Sequence, residues 1–217
     1  MDKLEPIADR IREEFDAQND ARDRALVQTR TLTRHCAHAI RAVHRLEWEN
    51  AAAELDKAGQ IVDALCSSLK TDHPSLYFVG YTQDALKEYA EARFVYALVD
   101  SKPLPTPEDL GLEPSTYLKG LAEAVGELRR RILDILRGGH SLEAERLLKH
   151  MDDIYAVLVT MDYPDAVTYG LRRQTDICRS IIERTRGDMT LSFRQEQLER
   201  TIRKAEENIL TANGEDS

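Results

Sequence analysis

The chain has 217 residues, of which 42% are hydrophobic and 32% charged, and its formal net charge is −9. This length supports one large domain or two small ones, and the scarcity of Gly (10) and Pro (7) suits long, solvated helices. The acidic balance excludes general affinity for nucleic acid, so any contact with it must come from basic side chains gathered locally.

The N-terminus, MDKLEPIADRIREEF, is charged from its start and does not read as a signal peptide. Residues from about 4 to 47 keep a 3.6-residue apolar period with no Gly and no Pro after Pro6, which predicts one very long helix. A second helix is predicted over Glu49–Leu69, broken at Asp72-His73-Pro74, and a third over Ser75–Ser101 with Gly80 near its start. The stretch 102–107 is a Pro-rich linker, and Thr106 followed by Pro107 reads as an N-cap and first position of a short turn through Leu110. A fourth helix is expected from Pro114 to Leu136, ended by Gly138-Gly139, and a fifth from Ser141 to Thr160. A sixth is expected over Asp165–Arg186, closed by Gly187, and a seventh over Met189–Leu210, with a frayed tail at 213–217. No segment alternates as a strand, so the expectation is an all-α, seven-helix bundle forming a single domain over 1–217. The longest apolar runs, such as Phe94–Leu98, are far too short for a membrane span. Cys36, Cys66 and Cys178 show neither CxxC nor zinc spacing, so free thiols in a reducing cytoplasm are expected.

Four glutamates carry the functional signal. Glu88 and Glu91 (i,i+3) lie in KEYAEARF, and Glu123 and Glu127 (i,i+4) in GLAEAVGELRR, so each pair leaves one face of its helix. Like charges at such spacings cost about 0.2–0.5 kcal/mol per pair on an isolated helix. If the pairs face each other, the carboxylates form a nest suited to a hard cation such as Mg²⁺. Read one at a time, each glutamate is ordinary helix surface. The small or apolar neighbours Ala85, Ala92 and Val95, and the glycines Gly120 and Gly126 inside the fourth helix, argue against a plainly solvated face. The glycines would let a helix or an RNA backbone come close, at roughly 1 kcal/mol each relative to Ala.

A basic stripe lies on the first helix. Arg34, His38, Arg41 and Arg45 fall at i, i+4, i+7 and i+11, with Arg30, His35 and His44 nearby. It reads as a phosphate track or as a row of salt-bridge partners. Arg130, in the run Arg129-Arg130-Arg131 after Glu127, is a further phosphate candidate, and Arg172 and Arg173 are weaker ones. Tyr89 and Phe94 fit core positions better than base-stacking ones, and Trp48 fits packing or an interface.

GYTQDALKEYAEARF (80–94) resembles the Gly…Ala-x-x-Glu-Tyr-x-Glu-Ala segment of the translin family. YLKGLAEAVGELRRRILDILRGG (117–139) resembles its Tyr-Leu-x-Gly-x-x-(Asp/Glu)-x-x-Gly-Glu-Leu segment, and RHCAHAIRAVHRLE (34–47) is similar in type to its basic helix. The resemblance covers nearly the whole chain. It implies a translin-type bundle and, because the Trax-type acidic positions fall on Glu88, Glu91, Glu123 and Glu127, a Trax-like catalytic member of the single-gene, prokaryotic type. It implies that these four bind Mg²⁺, with Mn²⁺ as a substitute, and cleave single-stranded RNA inside an octameric shell. Glu88 and Glu127 are the first choices for direct ligands, and Glu91 for a ligand or general base. Glu123 stands where Trax usually has Asp and is one methylene longer. Metal-dependent hydrolysis would leave 5′-phosphate and 3′-hydroxyl ends. The partners implied are single-stranded RNA, single-stranded DNA and further copies of the chain, with no membrane.

Two other readings stay open. One is a non-catalytic single-stranded RNA- or DNA-binding protein of the same fold. The other is an all-helical, Mg²⁺-dependent nucleotide pyrophosphohydrolase, against which the i,i+4 spacing of the second pair counts. No Glu-x-x-His is present for a ferritin-like di-iron site, Asp152-Asp153 lacks the third acid of a prenyl-diphosphate motif, and there is no P-loop or nucleophile elbow.

Overall fold

The computed structural model describes residues 4–139 and 141–214. The described residues are helical or in connections, without a strand. The chain divides into two compact units, Met1–Ala124 and Val125–Ser217.

The first unit is built on α1 (Glu5–His44), α2 (Trp48–Asp72) and α4 (Gly80–Val99), which pack against one another. The 40 residues of α1 bury Ala21, Ala25, Thr29, Leu32, Cys36, Ala39 and Val43, one or two turns apart on one face. Before Ala21 no described residue of the helix is buried, and Leu4, Ile7, Ile11 and Phe15 are exposed along one side. Leu46, at φ 60°, turns the chain into α2. His73 ends α2 by leaving the helical region (φ −140°, ψ 63°), in keeping with the bias of a residue before proline away from α conformation.

The helix predicted over Ser75–Ser101 is two helices. A short α3 (Pro74–Tyr77) stops before Val79, whose backbone is extended, and α4 begins at Gly80. The break is stabilised by side chains from the next turn. Thr82 Oγ1 donates to the Leu76 carbonyl (2.8 Å) and Gln83 Nε2 to that of Tyr77 (2.7 Å), satisfying acceptors that a continuous helix would have used. Beyond the Pro-rich stretch, α5 (Pro107–Leu110) opens with the expected cap. Thr106 Oγ1 accepts from the Asp109 amide (3.1 Å) while the Asp109 carboxylate accepts from the Thr106 amide (2.8 Å), and Gly111 closes the turn at φ 65°. The helix α6 (Pro114–Leu136) starts in this unit.

The second unit holds the end of α6, α7 (Leu142–Leu158), α8 (Asp165–Thr168) and α9 (Leu171–Gly214). Ser141 caps α7 by accepting from the Glu143 amide (3.1 Å). Leu147, Met151, Ile154 and Leu158 of α7 and Leu171, Cys178 and Ile182 of α9 are buried, and the two helices pack together. The predicted stop at Gly187 does not occur. The sixth and seventh predicted helices fuse into the 44-residue α9, and the real break lies earlier, at Tyr169 (φ 50°) and Gly170 (φ 86°). Gly187 stays helical, and its neighbour Asp188 is tied to Arg129 at 2.8 Å. Of the tail expected at 213–217, Asn213 and Gly214 continue α9, and 215–217 lie outside the described residues. No described helix is long and apolar enough to cross a membrane. Cys36, Cys66 and Cys178 are free thiols.

Candidate metal centre and basic face

Close approach of α4 and the first part of α6 makes the acidic site. A β-carbon on Gly120 would lie 2.6 Å from the Ala90 Cβ, 3.0 Å from the Lys87 carbonyl oxygen and 3.1 Å from the Glu91 amide nitrogen. The missing side chain therefore lets α6 sit on the backbone of α4. Gly126, the other glycine the sequence points to, has open space where a β-carbon would go.

This contact brings Glu88 and Glu91 of α4 to Glu123 of α6. One carboxylate oxygen from each lies within 4.8 Å of the other two. Glu91 is the most enclosed, at 9% exposure. Glu88 and Glu123 are about one-third open to solvent. On the α1 side, Cys36 is fully buried. Burial, and then the charges of Glu88 and Glu91, push its thiol pKa far above the ordinary value, so Cys36 remains a neutral, inert wall. Three carboxylates offering one oxygen each form a hard, all-oxygen donor set. Such a set suits Mg²⁺ or Mn²⁺ that keeps several of its own waters.

The fourth predicted carboxylate, Glu127, lies one helical turn beyond Glu123 on α6 and belongs to the second unit. It is half-buried and stands 3.7 Å from Arg130.

Lys87 joins the site although the sequence does not single it out. Its ammonium donates to Glu123 (2.7 and 2.8 Å to the two oxygens) and stands 3.5 Å from Glu88, with only 12% of the side chain exposed. Burial works to lower its pKa, but the Glu123 hydrogen bond and the charges of Glu123, Glu88 and Asp84 outweigh it and raise the pKa above the ordinary value. The one signal in the sequence is spacing: Lys87 precedes Glu91 by four residues, a separation common to many charged pairs on helices.

The basic stripe also forms. Arg30, Arg34, His38 and Arg41 are exposed on α1, and Arg45 is exposed just past its end. Among the described residues, none of these four arginines has an acidic partner, so the salt-bridge explanation does not account for them. It does account for His35 and His38. His35 Nδ1 lies 2.7 Å and His38 Nδ1 3.5 Å from Glu54, which Lys57 also contacts at 2.6 Å. The hydrogen bonds from Lys57 and then His35 hold the Glu54 pKa down at about 2. Beside this cluster, His38, Arg41, Arg45, Asn50 and Lys57 line an open cavity of about 400 Å³ between α1 and α2.

Two of the three consecutive arginines on α6 are tied down. Arg129 bonds Thr185 (3.0 Å) and Asp188 (2.8 Å), and Arg131 bonds Glu143 (2.9 Å). Arg130 is half open to solvent, with a long contact to Glu127. Arg172 and Arg173 are exposed on α9. Tyr89 (5% exposed) and Phe94 (fully buried, edge-on to Tyr117 at 4.7 Å) belong to the core, and Trp48 packs edge-on against Tyr96.

No profile of a known protein family matches the chain. An uncharacterized protein of Methanocaldococcus jannaschii is 31% identical over 192 residues, covering 87% of this chain and 84% of that protein. Among solved structures, archaeal AfC3PO is 32% identical with a TM-score of 0.77, and its complex with duplex RNA is 30% identical with the same TM-score. Each alignment covers 85% of this chain and 95% of the other. Apo-NeC3PO from Neurospora, at 20% identity and a TM-score of 0.76 over 85% of this chain and 96% of its own, shares the fold. C3PO proteins are of the translin/Trax family, and with likeness in both sequence and fold over 85% of its length the chain belongs to the translin family.

Proposed function

We propose that the chain is a metal-dependent endoribonuclease that acts as an oligomer. The observation that carries this reading is the convergence of Glu88, Glu91 and Glu123 from two helices onto one spot. Surface glutamates do not need a glycine-mediated helix contact to bring them together, and mutual repulsion opposes it. In this reading the three carboxylates hold Mg²⁺ or Mn²⁺, and Glu127 is the fourth acid expected from the resemblance. When bound, such an ion supplies charge neutralisation at the scissile phosphate and activation of water for attack. Glu91, the least exposed, fixes its carboxylate for binding, while Glu88 and Glu123 keep faces open to solvent from which an RNA phosphate can approach. Arg30, Arg34, Arg41 and Arg45, free of acidic partners among the described residues, hold the RNA backbone with little sequence preference, and His38 lies on the same face. Arg130 adds a further phosphate contact.

The complex of AfC3PO with duplex RNA supports RNA as the partner class. Single-stranded RNA is the substrate we favour. Single-stranded DNA would bind the same arginine face, because backbone phosphates are common to both.

The test is cleavage of end-labelled single-stranded and duplex RNA by the purified chain with Mg²⁺, Mn²⁺ or EDTA. The variants Glu88→Gln, Glu91→Gln, Glu123→Gln and Glu127→Gln are assayed alongside. The expected result is cleavage that requires the metal, leaves 5′-phosphate and 3′-hydroxyl ends, and disappears in Glu91→Gln and Glu123→Gln. A 2′,3′-cyclic phosphate product would exclude this hydrolytic route. One observation favours a second reading, a non-catalytic RNA-binding protein: the Lys87 ammonium already compensates part of the acidic group. RNA bound but uncut under every metal condition would establish it.

A further inference from the structure

Lys87 is a basic side chain bonded within the acidic group itself. It reaches Glu123 at 2.7 Å and Glu88 at 3.5 Å, two of the three carboxylates that converge there. It is enclosed, with 12% of the side chain exposed, and its backbone carbonyl lies 3.0 Å from where a Gly120 β-carbon would be. The contact that builds the carboxylate group therefore also fixes the base of Lys87. A solvated i,i+4 pair on a helix surface would have no such constraint. An ammonium and a divalent cation seek the same carboxylate oxygens, and both Glu123 oxygens are engaged by Nζ. We infer that Lys87 is a tethered cation in the place a divalent ion would take, so that metal enters by exchange with the Lys87 ammonium at Glu123 and Glu88. The lysine offsets part of the group's charge and ties α4 to α6 when metal is scarce, and it raises the concentration at which the chain loads. This inference rests on the metal-centre reading above, but it predicts a sign that the reading alone does not.

The test measures metal affinity without RNA and without turnover. Mn²⁺ is titrated by calorimetry into the cation-free full chain, wild type beside Lys87→Met and Lys87→Gln, with helicity and melting temperature followed for each. Removing the competing charge is expected to tighten Mn²⁺ binding about tenfold in both variants, since neighbouring unit charges attract or repel strongly even in a partly screened setting. Unchanged or weaker binding in folded Lys87→Met and Lys87→Gln would overturn the inference, because the lysine would then be positioning the carboxylates rather than competing for them. Glu91→Gln separates this failure from failure of the metal centre. If wild-type Mn²⁺ binding is absent, or is indifferent to Glu91→Gln, the metal reading falls and the exchange with it. If wild type binds, Glu91→Gln abolishes binding and the Lys87 variants do not tighten, only the exchange falls.

Discussion

Gly120 and Ala90 meet so closely that a β-carbon on the glycine would come within 2.6 Å of the alanine's own. The other near atoms are backbone, the Lys87 oxygen and the Glu91 nitrogen, so no flexible side chain can yield. Gly120→Ala gains up to about 1 kcal/mol of helix propensity but must overpack this contact, at a typical cost of about 1–3 kcal/mol. We expect a net loss of about 1–2 kcal/mol in chemical denaturation. Glu123 should also move away from Glu88 and Glu91, lowering Mn²⁺ affinity. A Gly120→Ala chain that is more stable than wild type would show that the contact relaxes freely. Gly126→Ala is the control, since it meets nothing and should stabilise α6 slightly.

The exposed arginines of α1 make a prediction about salt. Removing one phosphate contact should lower the slope of log K against log salt by about 0.7–0.9. Arg41→Ala with Arg45→Ala should therefore weaken RNA binding at low salt and flatten its salt dependence. Circular dichroism should be unchanged, because both side chains are exposed. Fluorescence anisotropy on a short labelled RNA at several salt concentrations measures both quantities. An unaltered slope would remove these two residues from the track.

The all-helical architecture, the long first helix, the cap at Thr106 and the basic stripe were all legible, because each depends on local spacing or chemistry. The breaks were less so. Gly187 looks like a helix stop and Gly170 does not stand out. Yet Gly170 adopts the left-handed conformation and Gly187 remains helical, with Asp188 tied to Arg129 from far along the chain. The split at Val79 likewise depends on Thr82 and Gln83 reaching back to carbonyls of α3. The acidic group was legible as composition, with three of its four members brought together, but Lys87 was not. In the sequence it is one more charge on a charged helix, and its role emerges only when Gly120 brings α6 against α4.

Glu54 gives a pH dependence with a defined sign. Its folded-state pKa is depressed from 4.5 to about 2, first by the Lys57 hydrogen bond and then by that of His35. A depressed carboxylate stabilises the fold above its unfolded pKa, and the contribution is lost as pH falls through the folded one. The stability difference between wild type and Glu54→Gln should thus be constant above about pH 5 and shrink between about pH 4.5 and 2. Its plateau is expected near about 1 kcal/mol, because one partner, Lys57, is exposed. Urea denaturation of both chains at several pH values tests it. A difference that grows on acidification would contradict the assignment.

Leu4, Ile7, Ile11 and Phe15 lie at i, i+3, i+7 and i+11 on the part of α1 that has no buried residue within the chain. Such a seam on a long helix is the pattern of helix–helix contact, and burying one large side chain contributes about 1.5–3 kcal/mol. Leu191, Leu198 and Ile202 repeat the pattern on the exposed later part of α9. Both features support assembly of the chain with itself, as proposed above. Ile11→Asp with Phe15→Ser should lower the mass seen by light scattering while leaving helicity nearly unchanged, because neither residue contributes to the monomer's core. If assembly organises the RNA-binding faces, the same variant should lose RNA cleavage more than Mn²⁺ affinity, since the three clustered glutamates all come from one chain. A wild-type chain that scatters as a monomer at all concentrations would remove the assembly from the proposal and leave the carboxylate group to be judged on its own.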